Sequence, residues 1–224
     1  MSNATRRRLP SRLYAILDAD VAARAGWLIP DLADAYLGAG VRFLQLRAKT
    51  ASSRDVLAWT DAIASRAPAD AWLIVNDRVD LALAAGTRHV HLGQDDLPPV
   101  EARRLLGDAA VIGLSTHTPA QIAAACAMPI DYLAVGPVFG TRTKDTGYAA
   151  VGLDLVREAR AQAAAAARED RNRLPIVAIG GITRTNAADV IAAGADAVAV
   201  ITDLLRDRDP ALAVQTYLVA LGEG

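Results

Sequence analysis

The feature that most constrains this chain is an eightfold alternation of short β-type runs with Ala- and Leu-rich amphipathic stretches. The β-type runs are Leu13 to Leu17, Val41 to Arg47, Trp72 to Asn76, His89 to Leu92, Ala110 to Ser115, Tyr132 to Gly136, Ile176 to Ile179 and Ala197 to Ile201. Helical patterning covers Asp31 to Gly38, Ser53 to Arg66, Val79 to Ala85, Pro98 to Leu106, Pro119 to Ala127, Leu153 to Arg168, Arg184 to Ala193 and Pro210 to Leu221. Strands that alternate with helices pair in parallel, with the helices as crossovers. Eight such units in 224 residues predict a single-domain α/β fold, a TIM (β/α)8 barrel, with an open doubly wound sheet as second choice. The barrel is expected over residues 11–224, after a flexible basic arm over residues 1–10 that carries Arg6, Arg7 and Arg8. Local punctuation agrees: Ser52 or Ser53 and Thr118 can cap helices, Pro98 and Pro119 suit first turns, and Gly40, Gly86 and Gly194 stand just past helix ends.

Composition narrows the function. At 53% hydrophobic and 22% charged residues the chain can bury one sizeable core and is not disordered. Lys plus Arg is 24 against 25 for Asp plus Glu, so no global charge draws nucleic acid, and any anion site must be local. No apolar run approaches the roughly 18 residues of a membrane-spanning helix. The apolar Leu13 to Leu17 behind the basic arm is too short for a signal core. A lone cysteine, Cys126, rules out a disulfide framework and fits a reducing cytoplasm. Small molecules are the expected partners; oligomeric state stays open, a homo-oligomer included.

Barrel active sites form at the carboxyl ends of the strands, and polar groups collect there. After the second run comes Gln45-Leu46-Arg47-Ala48-Lys49, where period-two alternation sets Gln45 and Arg47 on one face with Lys49 at the rim. An inward Arg needs an anion or an internal carboxylate partner. The third run ends in Asn76-Asp77 and the fourth in His91-Leu92-Gly93-Gln94-Asp95-Asp96. Two carboxylates at adjacent strand ends suit a hard cation that keeps waters and bridges to phosphate oxygens, which describes Mg2+. Asp95 or Asp96 can instead start the next helix. Zinc is disfavoured, because His89, His91 and His117 lack ligand spacing. Ser115 has no nucleophile elbow around it and is read as orienting a substrate ring; His117 is either an acid-base group or a helix-start residue.

The segment Phe139 to Val151 is long, polar and Gly-rich, and Thr141, Arg142, Thr143 and Lys144 within it offer an anion clamp. Gly180-Gly181 after the seventh run and Ile201-Thr202 after the eighth form the expected phosphate cup. Two anion regions follow: that cup, and a Mg2+ basin of Asp77, Asp96, Arg47, Lys49 and Lys144. A diphosphate held there is poised to leave, which is electrostatic catalysis that needs no strong base.

The motifs Leu13-Tyr14-Ala15-Ile16-Leu17-Asp18, Gln45-Leu46-Arg47-Ala48-Lys49, Asn76-Asp77, His91-Leu92-Gly93-Gln94-Asp95-Asp96, Gly113-Leu114-Ser115, Thr141-Arg142-Thr143-Lys144 and Ala178-Ile179-Gly180-Gly181-Ile182 occur in that order. Together they resemble the thiamine phosphate synthase family, also called thiamine-phosphate pyrophosphorylase, over roughly residues 12 to 221. The resemblance implies a TIM barrel that joins hydroxymethylpyrimidine diphosphate to a thiazole phosphate, releasing pyrophosphate and thiamine phosphate through a pyrimidine-methyl cation. It implies Mg2+ on Asp77 and Asp96, with the pyrimidine diphosphate on Gln45, Leu46, Arg47, Ala48, Lys49, Asn76, Ser115 and Lys144. The thiazole phosphate falls to Thr141, Arg142, Thr143, Gly181, Ile201 and Thr202, and Arg47, Lys49, Lys144 and Ser115 make up the expected catalytic set. Ala48 stands where the family often has an acidic or polar residue, and Thr202 where Ser is commoner. Two alternatives remain on the same barrel: a thiazole tautomerase using His117 as proton shuttle, and a non-catalytic thiamine phosphate binding protein.

Overall fold

The computed structural model describes residues 8–140, 149–167 and 173–223. Strands β1 (Leu13–Asp18), β2 (Phe43–Arg47), β3 (Trp72–Asn76), β4 (Val90–Leu92), β5 (Ile112–Thr116), β6 (Tyr132–Val135), β7 (Ile176–Ile179) and β8 (Ala197–Val200) pair in sequence order, all parallel, and β8 closes on β1. Around them lie α1 (Ala19–Arg24), α2 (Ile29–Gly38), α3 (Ser53–Ala64), α4 (Val79–Ala84), α5 (Pro99–Leu106), α6 (Pro119–Cys126), α7 (Gly152–Ala165), α8 (Ala187–Ala192) and α9 (Pro210–Ala220). This is the TIM barrel that the alternation predicts. No described helix is long and apolar enough to cross a membrane.

Period-two alternation sorts the strand residues into two apolar layers. Leu44, Leu46, Val90, Leu92, Ile112, Leu114, Leu133 and Val135 pack outward with the helices. Tyr14, Phe43, Ile74, Val111, Tyr132, Ala134, Val177 and Ala199 fill the barrel interior. Although the chain is only 4% aromatic, three rings meet in the interior: Tyr14 stacks on Phe43 with centroids 3.6 Å apart, and Tyr132 meets both rings edge-on. Gly113 makes room for them, since a Cβ there would lie 2.1 Å from Tyr132 Cζ. Leu9, within the segment expected as a solvated arm, packs against this interior cluster.

The lower rim is tied by ions. Asp131 accepts from Arg103 (2.7 Å) and from the Ile112 amide (2.8 Å), and Asp196 does the same for Arg173 (2.7 Å) and the Ile176 amide (2.8 Å). Glu223 accepts from Ser11 Oγ (2.6 Å) and the Arg12 amide (2.8 Å), anchoring the chain beyond α9 to the start of β1.

Three local features differ from the sequence reading. Helix α1 begins directly after β1, where no helix was expected, because the Asp18 side chain accepts from the Val21 amide (3.0 Å); six residues are too few to show a periodicity. A 3-10 turn at Thr202–Leu205 follows β8. The expected helix from Arg184 starts only at Ala187, since Asn186 Oδ1 accepts from the Thr183 amide (2.8 Å) and closes a turn first. Ser52 and Thr118 do cap α3 and α6. Neither Asp95 nor Asp96 caps α5, whose N-cap is Pro98.

Candidate active site

A cavity of about 590 Å3 opens at the carboxyl ends of the strands. Gln45, Arg47, Asn76, Ser115, Gly181, Ile201 and Thr202 line it, so seven expected ligand-binding residues from the ends of five strands face one cavity. Gln45 and Arg47 face inward together, as the alternation requires. Leu46 is fully buried in the layer beneath the helices, and Ala48 packs against that layer, so their side chains turn from the cavity. Thr141, Arg142, Thr143 and Lys144 lie outside the described residues.

Arg47 is paired with Asp18, its register partner across β1 and β2; Asp18 is buried and Arg47 partly so (3% and 12% of the side chain exposed). The internal carboxylate and the cavity-facing guanidinium are therefore both present: the pair holds the cation in place, and the cavity leaves it one face for a ligand. Lys49 Nζ lies 3.1 Å from Asp77 Oδ2. Asp77, the residue after Asn76, has a left-handed backbone (φ 61). Burial, and then the neighbouring Asp96 carboxylate, push the Asp77 carboxyl above the usual range, while Lys49 pulls it down. Asp96 Oδ2 accepts from the Gly93 amide (2.6 Å), which fixes it in the turn after β4.

This donor set fits a hard divalent cation. Two carboxylates meet at adjacent strand ends, and among the described residues no third His, Cys, Asp or Glu completes a closed metal site. An ion held there would take its other oxygens from water or from a phosphorylated ligand, as Mg2+ does.

At the opposite side Gly180 and Gly181 have φ of 101° and 63°. Both also lie against the segment after β6: a Cβ on Gly180 would be 2.5 Å from Pro137 Cβ, and one on Gly181 would be 2.7 Å from Gly140 O. The backbone thus turns sharply toward the cavity where only glycine fits. The 3-10 turn after β8 sits beside it, the usual barrel place for a phosphate. Asp203 in that turn is buried and accepts from the Tyr217 hydroxyl (2.8 Å) and the Arg184 amide (3.2 Å). It locks the two loops to α9.

His117 lines the cavity and bonds through Nδ1 to Gly136 O, while its amide donates to Gln121 Oε1 (2.7 Å), so it serves at the start of α6. His89 Nδ1 accepts from the Val111 amide (3.1 Å) and is structural. The sequence reading missed the roles of Tyr14 and His91, which line the cavity, of Tyr132, buried behind them, and of Asp18 and Asp203. For the four strand residues, inward strand positions were the available signal.

Fold and cavity define the class: a single-domain (β/α)8-barrel enzyme whose polar groups converge at the carboxyl ends of its strands. A profile described as thiamine monophosphate synthase matches residues 13–204. The chain is 44% identical over 202 residues to the thiamine-phosphate synthase of Koribacter versatilis, covering 89% of this chain and 91% of that one. It is 45% identical over 213 residues to the thiamine-phosphate synthase of Acidothermus cellulolyticus, covering 94% and 95%. A solved thiamine phosphate pyrophosphorylase from Pyrococcus furiosus superposes with a TM-score of 0.80 at 29% identity, covering 96% of each chain. The chain belongs to the thiamine monophosphate synthase family and is an enzyme of the transferase class.

Proposed function

We propose that the chain condenses 4-amino-2-methyl-5-hydroxymethylpyrimidine diphosphate with 4-methyl-5-(2-hydroxyethyl)thiazole phosphate, giving thiamine phosphate and pyrophosphate. The carbon–oxygen bond to the diphosphate breaks with its electron pair leaving on pyrophosphate, and the thiazole nitrogen lone pair forms the new carbon–nitrogen bond to the resulting methyl cation. No proton is gained or lost, so no general base is required. Arg47 and Lys49 receive the diphosphate, and Gln45, Asn76 and Ser115 orient the ring; Lys144 is assigned to the diphosphate and Thr141, Arg142 and Thr143 to the thiazole phosphate. Gly181, Ile201 and Thr202 take the thiazole phosphate. Mg2+ is assigned to Asp77 and Asp96, where it would supply charge neutralisation for the leaving diphosphate.

The observation that carries this reading is that Lys49 and Asp96 both meet Asp77, one residue along the chain from the cavity residue Asn76. An anion there meets a cation and a metal site rather than bare carboxylates. The test is thiamine phosphate formation from the two substrates by the parent, Asp77→Ala and Lys144→Ala chains. Each substitution is expected to lower turnover by more than about tenfold with the circular dichroism unchanged. Unchanged rates in both would overturn the site assignment.

A further inference from the structure

Five buried side chains join end to end at the cavity. Gln45 Nε2 donates to the Tyr14 hydroxyl (2.6 Å), which lies 3.0 Å from the Tyr132 hydroxyl. That hydroxyl is 3.0 Å from His91 Nδ1, and His91 Nε2 is 2.8 Å from Ser115 Oγ. None of the five is more than 8% exposed, yet Gln45 and Ser115 at the ends line the cavity, as do Tyr14 and His91, with Tyr132 behind them. Burial raises both phenols above their usual range, so each keeps one proton to donate.

With the Gln45 amide nitrogen facing Tyr14, donor and acceptor counting sets the direction of every other link. Tyr14 oxygen receives the Gln45 amide proton and passes its own to Tyr132. Tyr132 passes its proton to His91 Nδ1, which places the imidazole proton on Nε2, and that proton goes to Ser115 Oγ. The serine proton is left to the cavity, opposite in sign to the Gln45 carbonyl oxygen at the other end. Turning the Gln45 amide over would reverse every link, including the His91 tautomer, because a half-reversed chain leaves two buried lone pairs or two protons facing each other.

We propose that Tyr14, Tyr132 and His91 are positioning residues that couple Gln45 to Ser115, so that the two wall groups always meet a ligand ring as one donor and one acceptor. Such a wall selects a ring that offers the complementary pair, such as an amino group and a ring nitrogen. This deepens the proposed function and rests on it for the identity of the ring. The coupling itself does not require the substrate to be known.

Tyr132→Phe cuts the chain in the middle and keeps the ring. Its kcat/KM for the pyrimidine diphosphate is expected to fall about tenfold while KM for the thiazole phosphate stays within about twofold. In a Ser115→Ala background the same substitution is expected to change kcat/KM by less than about twofold, because its effect passes through Ser115. Multiplicative losses, or equal losses toward both substrates, overturn the relay and leave a packing role. If Tyr132→Phe does not fold, Tyr14→Phe cuts the same chain one link earlier and carries the same expectation. Nitrogen-15 spectra and side-chain amide contacts of the free protein are expected to pair a His91 proton on Nε2 with the Gln45 amide nitrogen facing Tyr14, or a proton on Nδ1 with the amide oxygen facing Tyr14; the opposite pairing overturns the proposal with no substrate present. Absence of thiamine phosphate formation by the parent removes the functional reading; intact parent turnover with multiplicative losses removes the relay alone.

Discussion

Replacing Gly113 by alanine places a methyl group inside the aromatic cluster of the barrel interior. The new carbon would lie 2.1 Å from Tyr132 Cζ, 2.4 Å from its hydroxyl oxygen and 2.5 Å from Cε2. Ordinary carbon contacts lie near about 3.5 to 4.0 Å, so the phenol must move by more than about 1 Å. It has little freedom to do so: Tyr132 is fully buried, edge-on to Phe43 at 5.5 Å and hydrogen-bonded to both Tyr14 and His91. Overpacking of this kind costs about 1 to 3 kcal/mol, and detaching a buried hydroxyl adds about 1 to 3 kcal/mol. The combined loss is about 2 to 6 kcal/mol, a fall in Tm of roughly 4 to 24 °C for a chain of this length. Thermal and urea unfolding followed by circular dichroism measure it. Gly113→Ala with Tyr132→Ala is expected to lose less than the sum of the two single losses, since the second change removes the clash. A Gly113→Ala chain within about 2 °C of the parent would refute the reasoning.

Asp77→Asn is expected to stabilise the metal-free fold by about 0.5 to 2 kcal/mol while lowering turnover, because it removes a buried like charge from Asp96 and asparagine tolerates the left-handed backbone; a lower Tm in chelator would contradict this. Asp18→Asn keeps the cap on α1 but leaves the partly buried Arg47 guanidinium without its counter-charge, at a cost of about 1.5 to 3 kcal/mol. Added inorganic pyrophosphate is expected to raise the Tm of that variant more than that of the parent, and an equal rise would place Arg47 outside the anion site. Tyr217→Phe removes the buried donor to Asp203 and is expected to cost about 1 to 2 kcal/mol and to raise KM for the thiazole phosphate more than for the diphosphate; the reverse order of effects would detach Asp203 from the phosphate loops.

Faces were legible in the sequence, and depths were not. Alternation with period two places Gln45 and Arg47 inward and Leu46 outward, and the structure agrees. The same rule puts Tyr14, His91, Ser115 and Tyr132 inward, but whether their polar atoms meet depends on the stagger between strands. His91 sits opposite Gly113, which sits opposite Tyr132, and that register is set by closure of the whole barrel. The partner of Arg47 is hidden for a similar reason, since Asp18 lies 29 residues away and meets it only through the pairing of β1 with β2. Helix α1 and the 3-10 turn after β8 are too short to carry a periodic signal. They depend on one capping carboxylate and on a loop tied down by Asp203.

Release of inorganic pyrophosphate, with each component omitted in turn, addresses the central claim most directly. Rapid release is expected only when the pyrimidine diphosphate, the thiazole phosphate and Mg2+ are all present, together with thiamine phosphate in equal amount. Release that persists at full rate in chelator, or that proceeds without the thiazole phosphate and yields no thiamine phosphate, would contradict a metal-assisted condensation at this barrel mouth.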